Sequence, residues 1–402
     1  FNITERVLNM SANRDYNTLK TVSSGIIILS NLVGSETLAL SGDGSVSDEN
    51  VGTNKTIGVD TLSLADGANG GIASNYTLAG GTHLLTVNKA VLSITGTRQY
   101  DGSTNALPAD LSLNNLQGGE NLTLTGNGTI SDKNVATGKT LDVSGLTLGN
   151  GSGGTPGLSS NYKLDGGTHT FNVTKKDITF SGSRVYDGTT TVTSSDLVTN
   201  DTTSGETLVF SGSGTVSSAN VQNNQSITLG SIAIADGSGG GLASNYNLTT
   251  GTFDISQKWV SVGGQKIYDA TTTVSSSDLE VTGEVTGESI SITGTGSVTD
   301  KNVGSGKTID ISGLSLSDGS HSASNYTIGT TSFAITRRNL SISGEKVYDG
   351  TGTVLASQID TVNTAGGETL TISGEGSVSL PSVGTNKSLS LIHISEPTRR
   401  DQ

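Results

Sequence analysis

Apolar and polar residues alternate in short runs along nearly the whole chain, as in Val91-Leu92-Ser93-Ile94, Asp177-Ile178-Thr179-Phe180, Trp259-Val260-Ser261-Val262 and Asn339-Leu340-Ser341-Ile342. Period-two alternation with β-branched residues is the signature of a strand with one buried and one wet face. Each run leads into Gly-x-Arg/Lys-x-Tyr-Asp-Gly-Thr, in which Asp-Gly supplies the positive φ of a tight turn. Alternation resumes in Gly-Glu-x-Leu segments such as Gly119-Glu120-Asn121-Leu122-Thr123-Leu124 and Gly205-Glu206-Thr207-Leu208-Val209-Phe210. A strand, an Asn-containing turn and another strand are expected through Thr129 to Val135, and again from Ser297 to Ile311. A single helical turn fits best at Ala109-Asp110-Leu111 and Ser194-Ser195-Asp196-Leu197. Glycine-rich loops at 66–71, 149–154 and 236–241 precede Ser-Asn-Tyr, and the stretches Tyr162 to Lys175 and Tyr246 to Lys258 read as closing strands.

These elements recur as a unit. Tyr100-Asp101-Gly102, Tyr186-Asp187-Gly188, Tyr268-Asp269-Ala270 and Tyr348-Asp349-Gly350 repeat one marker, with a worn copy at Tyr16-Asn17. Successive tyrosines lie 84, 86, 82 and 80 residues apart. The second marker, Ser-Asn-Tyr, carries Asn75 and Tyr76, Asn161 and Tyr162, Asn245 and Tyr246, and Asn325 and Tyr326. The two markers contain all nine tyrosines, and their common beat makes the chain a tandem array. The modules expected are 1–88 (divergent), 89–174, 175–256, 257–336 and a truncated fifth over 337–388. A continuous β-helix would need a period near 20 to 30 residues.

Composition narrows the core. An 80-residue module buries only about 60 to 65% of its unfolded surface. With 4% aromatics and no cysteine, that core must be packed from Val, Ile and Leu without disulfides. The 56 glycines, with abundant Ser, Thr and Asn, disfavour helices and suit turns and exposed strand faces. The expected class is all-β.

The net charge of −14 is spread along the chain, and no Lys/Arg cluster exceeds two, which argues against nucleic acid as a partner. No apolar run reaches the roughly 20 residues of a membrane-spanning helix. The opening at Phe1, mid-pattern and without Met, reads as a cut edge. At the other end, Leu389 to Arg399 resembles the conceptual translation of a sequencing-library adapter, so 389–402 is set aside as a non-native tail.

The combined pattern, Lys/Arg-x-Leu-x-Ile-x-Gly-x-Lys-x-Tyr-Asp-Gly-Thr with Leu-Ala-Ser-Asn-Tyr-x-Leu-x-x-Gly-Thr, resembles the YDG/MBG repeats of large bacterial surface adhesins of the filamentous-haemagglutinin type. The resemblance covers about residues 5 to 388. It implies mostly-β, grasp-like modules acting as a stalk, secretion to the bacterial surface, and a receptor bound by regions outside this chain. The array is expected to be monomeric. Two departures, Arg14-Asp15-Tyr16-Asn17 in place of the turn in the first repeat and Ala270 for Gly in the fourth, are expected to distort their turns.

Chemistry is thin. The recurring Tyr-Asp could stack and hold a sugar, but presence in every module favours rings packed in a small core, hydroxyls bonded to backbone, and aspartates stabilising their own turns. The asparagines read as turn caps. Acidic turns at 43–48 and 300–302 invite calcium, yet their carboxylates are spread apart and Lys133 and Lys301 sit inside the loops. His83 and His169 occupy equivalent places while Phe253 and Phe333 stand near that site in later modules, a pattern of interchangeable strand residues. No cofactor site is expected. Glycine spacings near Gly149 lack the Lys-Ser/Thr of a phosphate loop, nothing picks out a Lys-Asn-Glu isopeptide trio, and no catalytic set emerges. The expectation is a structural stalk that projects a distal binding region or contributes to biofilm matrix. Modules as long as one eight- to ten-residue strand would give four of them a reach of about 120 Å. The alternative is tandem modules that bind carbohydrate or protein by avidity.

Overall fold

The computed structural model describes residues 1–391. Among them there is no α-helix; strands are joined by turns and by three-residue 3₁₀ turns such as Pro108–Asp110 and Ser194–Asp196. No helix among the described residues is long and apolar enough to cross a membrane. The chain divides into two compact units, the first comprising 1–179, 199–209 and 234–249 and the second the remainder.

In the first unit, the repeat containing Tyr100 shows how the pattern becomes a sheet. Ser93–Gln99 lies between two neighbours: it pairs antiparallel with Leu111–Asn114 and parallel with the closing strand His169–Thr174, in a register running from Ile94↔His169 to Gln99↔Thr174. The closing strand pairs on its other edge, antiparallel, with Ala136–Asp142. A separate antiparallel ladder joins Leu122–Gly126 to Leu146–Asn150. Alternation sends Ile94, Phe171 and Val173 into the core. Gly96 is needed where it stands, because a Cβ there would come within 2.5 Å of the Phe171 ring. The first repeat has the same four-strand order, with Asn9–Asp15 between Ile27–Ser30 and the parallel closing strand His83–Asn88, and Gly52–Thr56 beyond.

In the second unit, Lys258–Ile267 pairs parallel with Tyr326–Thr336 from Lys258↔Tyr326 to Ile267↔Thr336, with one register shift after Val260. Leu279–Thr282 and Gly304–Lys307 flank that pair. Further along, Ser341–Gly344 pairs with Ile359–Val362 among the described residues, and a three-stranded sheet joins Thr353–Leu355, Glu375–Val378 and Leu389–Leu391. Leu389–Leu391, the first residues of the expected tail, thus has a strand partner. It pairs with Glu375–Val378 as Ile309–Asp310 pairs with the strand ending at Val298. The rest of that tail, 392–402, lies outside the described residues.

Two other expectations change. Ala270 takes φ 66°, close to the 79° and 78° of Gly102 and Gly188, so its turn keeps its shape. Thr18 does the same in the first repeat at φ 64°. The penalty is strain, since left-handed backbone disfavours residues with a Cβ. Phe253 and Phe333 match Phe171 in register, not His169; residues 251 and 331, a glycine and a threonine, stand in the histidine's place. The histidines bond instead to their own turns, His83 Nε2 with the Leu78 carbonyl at 2.7 Å and His169 Nε2 with the Leu164 carbonyl at 2.9 Å.

Candidate functional site at the repeat junctions

The tyrosine of each Tyr-Asp-Gly turn is positioned from below by the basic residue two places earlier. That side chain cannot reach water, so it spends its donors on the turn. Lys266 Nζ bonds the Thr271 and Thr273 carbonyls and pairs with Asp269 at 2.9 Å. Arg184 makes the same contacts to Thr189, Thr191 and Asp187, and Arg98 pairs with Asp101 at 3.1 Å. The aspartate in turn accepts the amide two residues on, as Asp101 does from Ser103, Asp187 from Thr189 and Asp349 from Thr351, each at 2.9 Å. Burial pushes the Asp269 carboxyl up, but hydrogen bonds from Lys266 and Thr271 outweigh it and leave it below the ordinary range. The turn holds the following chain, and the tyrosine ring projects beyond it.

That ring does not stay within its own repeat. Tyr16 meets Tyr162 edge-on, with centroids 5.4 Å apart and planes at 78°. Tyr100 meets Tyr246, and Tyr186 meets Tyr326, at the same 5.4 Å and at 76° and 79°. Each pair joins the Tyr-Asp-Gly tyrosine of one repeat to the Ser-Asn-Tyr tyrosine of the next. Edge-to-face pairing places the positive rim of one ring on the negative face of the other, worth about 0.5–1.5 kcal/mol beyond burial.

Both hydroxyls donate to one glutamate, the Glu of Gly-Glu-x-Leu or its counterpart. Tyr16 and Tyr162 bond the two oxygens of Glu120 at 2.7 and 2.5 Å. Tyr100 and Tyr246 bond Glu206 at 2.5 and 2.6 Å, and Tyr186 and Tyr326 bond Glu288 at 2.8 and 2.5 Å. The second hydroxyl of each pair also accepts a backbone amide, from Gln117, Thr203 or Val285 at 3.0 to 3.1 Å. The hydroxyls of Tyr162, Tyr246 and Tyr326 thus bond backbone as acceptors, as expected, while every hydroxyl of the three pairs gives its proton to a carboxylate, which was not expected. A buried carboxylate demands charge-strength donors, and two phenols and an amide network supply them.

The asparagines complete the clasp. Asn161 is 1% exposed; its Oδ1 accepts the Val51 amide at 3.0 Å and its Nδ2 donates to Asn50 at 2.9 Å. Asn245 bonds Val135 and Asn134, and Asn325 bonds Val221 and Asn220, in the same way. All of these partners lie in the preceding repeat, so the asparagines clasp two repeats in place of capping one turn. Asn75, with no described repeat before it, is exposed. Tyr76 is buried and bonds Glu36 within its own repeat.

The junctions differ in charge. Lys133 donates to Glu206 and lies 5.8 Å over the Tyr100 ring. Burial pushes the Glu206 carboxyl up, yet the bonds from Lys133, Tyr100 and Tyr246 outweigh it and hold it below the ordinary carboxylate range. At Glu288 the place of Lys133 is held by Ala219, and the His321 imidazole stands 3.9 Å away. Burial, then the bond to Glu288, pushes Tyr186 and Tyr326 up to about 12. The fourth glutamate of the series, Glu368, accepts Tyr268 at 2.5 Å and Lys301 at 2.8 Å; the Lys301 bond, then that from Tyr268, lowers its carboxyl. Tyr268 is half-buried and Tyr348 is 62% exposed.

The turn aspartates considered for calcium are committed to lysines seven residues on: Asp48 to Lys55, Asp132 to Lys139 and Asp300 to Lys307, at 2.6 to 2.8 Å. Where the third repeat has Ser218, its amide donates to Gln225 at 3.1 Å. No group of His, Asp or Glu among the described residues has the arrangement of a metal site. The glutamate and the basic residue before Tyr-Asp were missed from the sequence. Both recur with the period of the tyrosines, and that shared period was the available signal.

Fold and site together define a protein of tandem all-β repeats in which three pairs of recurring tyrosines are shared between neighbours. The YDG domain pattern matches four times, over residues 4–83, 85–170, 168–253 and 257–333, and the chain belongs to the YDG domain family. No curated protein matches as a relative. Among solved structures, the Bacillus anthracis TIE protein is similar at 7% identity and a TM-score of 0.17, covering 82% of this chain and 67% of its own. Drosophila N-cadherin EC1-3 is similar at 9% and 0.14, covering 83% and 98%. At these scores neither likeness bears on the fold.

Proposed function

We propose that the chain is the stalk of a secreted bacterial surface adhesin, a spacer that holds a distal binding region away from the cell or contributes to biofilm matrix. One observation carries this reading. Six of the recurring tyrosines, the residues best suited to a shared ligand site, are consumed in paired clasps between consecutive repeats: Tyr16 with Tyr162, Tyr100 with Tyr246 and Tyr186 with Tyr326. Such clasps restrict hinge motion, because bending a junction would strip two phenols from a buried carboxylate at about 1.5–3 kcal/mol per charged hydrogen bond. A mechanical role needs that stiffness; a ligand site would need an exposed ring. Exposed aromatics such as Trp259 and Tyr348 are not repeated in equivalent, equally open positions.

The competing reading is binding by avidity, with each module holding carbohydrate or protein weakly. Small-angle scattering and a polysaccharide-binding assay separate the two. A stalk gives a maximum dimension near the additive length of its repeats, which shortens and broadens when Tyr100 and Tyr186 are both replaced by alanine, and binds no glycan saturably. Saturable glycan binding that survives those substitutions would overturn it.

A further inference from the structure

The carboxylate of Glu288 is closely enclosed. Its two oxygens accept Tyr186 and Tyr326 at 2.8 and 2.5 Å, and a Cβ on Gly188 would come within 2.9 Å of Oε1. Its side chain is 7% exposed. His321, on the loop that precedes Ser-Asn-Tyr, approaches the same Oε1 with its Nε2 3.9 Å away. Ser320 steadies that ring: its hydroxyl lies 2.9 Å from the imidazole Nδ1 and accepts the amide of Ser289, the neighbour of Glu288, at 2.9 Å.

The Glu206 junction shows what this loop replaces. There Lys133 supplies the cation, and the corresponding loop passes beside it as glycine: a Cβ on Gly240 would stand 3.6 Å from Lys133 Nζ. At Glu288 the lysine's place is held by Ala219, and the loop has changed with it. Both loops are pinned by an aspartate that accepts an alanine amide at 2.7 Å, Asp236 from Ala243 and Asp318 from Ala323. The second is two residues shorter, and after its serine it carries His321 where the first has Gly239, Gly240 and Gly241. Loss of a cation on one segment is thus matched by gain of an ionisable ring on another.

We propose that His321 is a pH-operated substitute for the junction lysine: as an imidazolium it closes on Glu288 and tightens the clasp, and as a neutral ring it releases it. An imidazole ordinarily titrates near 6.5, whereas a lysine stays charged throughout the neutral range. The Glu288 junction therefore tightens on mild acidification and the Glu206 junction does not. The sign follows from linkage: a protonated form that gains a partner on folding adds stability while protonated and loses it as pH rises. The other titratable groups on the surrounding elements leave that sign unchanged. Tyr186 and Tyr326, pushed up to about 12 by burial and the bond to Glu288, stay neutral across this range. Asp187 is paired with Arg184 at 3.2 Å, and Asp318 is held by the Ala323 amide. Glu284, on the segment that carries Glu288, is a further carboxylate and favours an imidazolium.

Amide exchange on the full chain at pH 8 and pH 5.5, corrected for intrinsic rates, tests the proposal at Val221 and Val285, whose amides donate to Asn325 and to the Tyr326 hydroxyl. Protection there should rise about two- to fivefold at the lower pH, the range a part-exposed ion pair gives. His321→Gln changes only an exposed loop residue and should hold protection at the lower level at both pH values. Ala219→Lys should hold it at the higher level at both. Val135, whose amide donates to Asn245 at the Glu206 junction, is the internal control and should show no rise. Wild-type protection at Val221 and Val285 that does not change between the two pH values overturns the proposal. A rise that survives His321→Gln, or one matched at Val135, overturns it as well.

Discussion

At Glu206 three side chains, Tyr100, Tyr246 and Lys133, converge on one carboxylate, and at Glu368 the tyrosine and lysine are Tyr268 and Lys301. With Tyr246 in place, Glu206 is 5% exposed and Tyr100 is 1% exposed; Tyr268, which has no such partner among the described residues, is half-buried. A Tyr-Asp-Gly tyrosine is thus core or surface according to whether a neighbour supplies the other half. Burial here is a property of pairs of repeats.

The largest effect that would break this comparison is Tyr246→Ala. It should destabilise the first unit by about 3–5 kcal/mol, the range for truncating a large buried aromatic, while Tyr348→Ala changes stability by less than about 0.5 kcal/mol. Urea denaturation of the full chain, read by far-ultraviolet circular dichroism, would show both. Comparable losses from the two variants would contradict the pairwise account.

Titration sharpens it next. Tyr186 and Tyr326 are pushed up to about 12 in the folded protein, against about 10 for an unfolded tyrosine. Their neutral forms are favoured by folding, so this stability is fully present below pH 10 and is lost as pH rises through about 12. Absorbance at 295 nm should show these two phenols ionising together with loss of structure near the upper limit. Glu206 has the opposite sign: its lowered carboxyl contributes stability above the ordinary glutamate range, lost as pH falls through the folded value. A Glu206→Gln variant should lose acid sensitivity at that junction, measured by melting temperature between pH 6 and pH 3.

Smaller effects distinguish the Glu206 and Glu288 junctions from each other. Lys133→Ala should cost about 1 kcal/mol, and the reciprocal Ala219→Lys should recover a similar amount at Glu288, since a part-exposed ion pair contributes little beyond that. The smallest change expected is a gain. Ala270→Gly relieves a positive φ of 66° and should stabilise by roughly 0.5–1 kcal/mol. A thermal scan showing destabilisation would mean that the Ala270 methyl makes a packing contribution larger than its strain.

Much of the fold was legible because its determinants are local. Alternation marked Ser93–Gln99 and Lys258–Ile267 as strands, Asp-Gly marked the turn after Tyr100, and glycine and serine content excluded long helices. The expected single helical turns fall at Pro108–Asp110 and Ser194–Asp196, where the structure makes them 3₁₀. The site was legible only as a list of residues. Tyr100 and Tyr246 lie 146 positions apart and Glu206 falls between them, so no spacing rule ties the three together. The strand at Leu389–Leu391 was hidden for another reason: three alternating residues carry too little pattern to be separated from the sequence after them.

By itself, then, the sequence determined the repeat, its period near 80 residues, the all-β class and the residues that every repeat retains. Those follow from periodicity and backbone preference, which act over a few residues and can be read along a line. Tertiary structure alone decided that Tyr-Asp-Gly and Ser-Asn-Tyr of different repeats meet, that a glutamate in a third segment joins them, and that Asn161, Asn245 and Asn325 reach back to the repeat before. The reason is physical: a buried carboxylate must gather its donors from whatever the fold brings within about 3 Å. In parallel closing strands that neighbourhood is set by the register of residues about 75 apart.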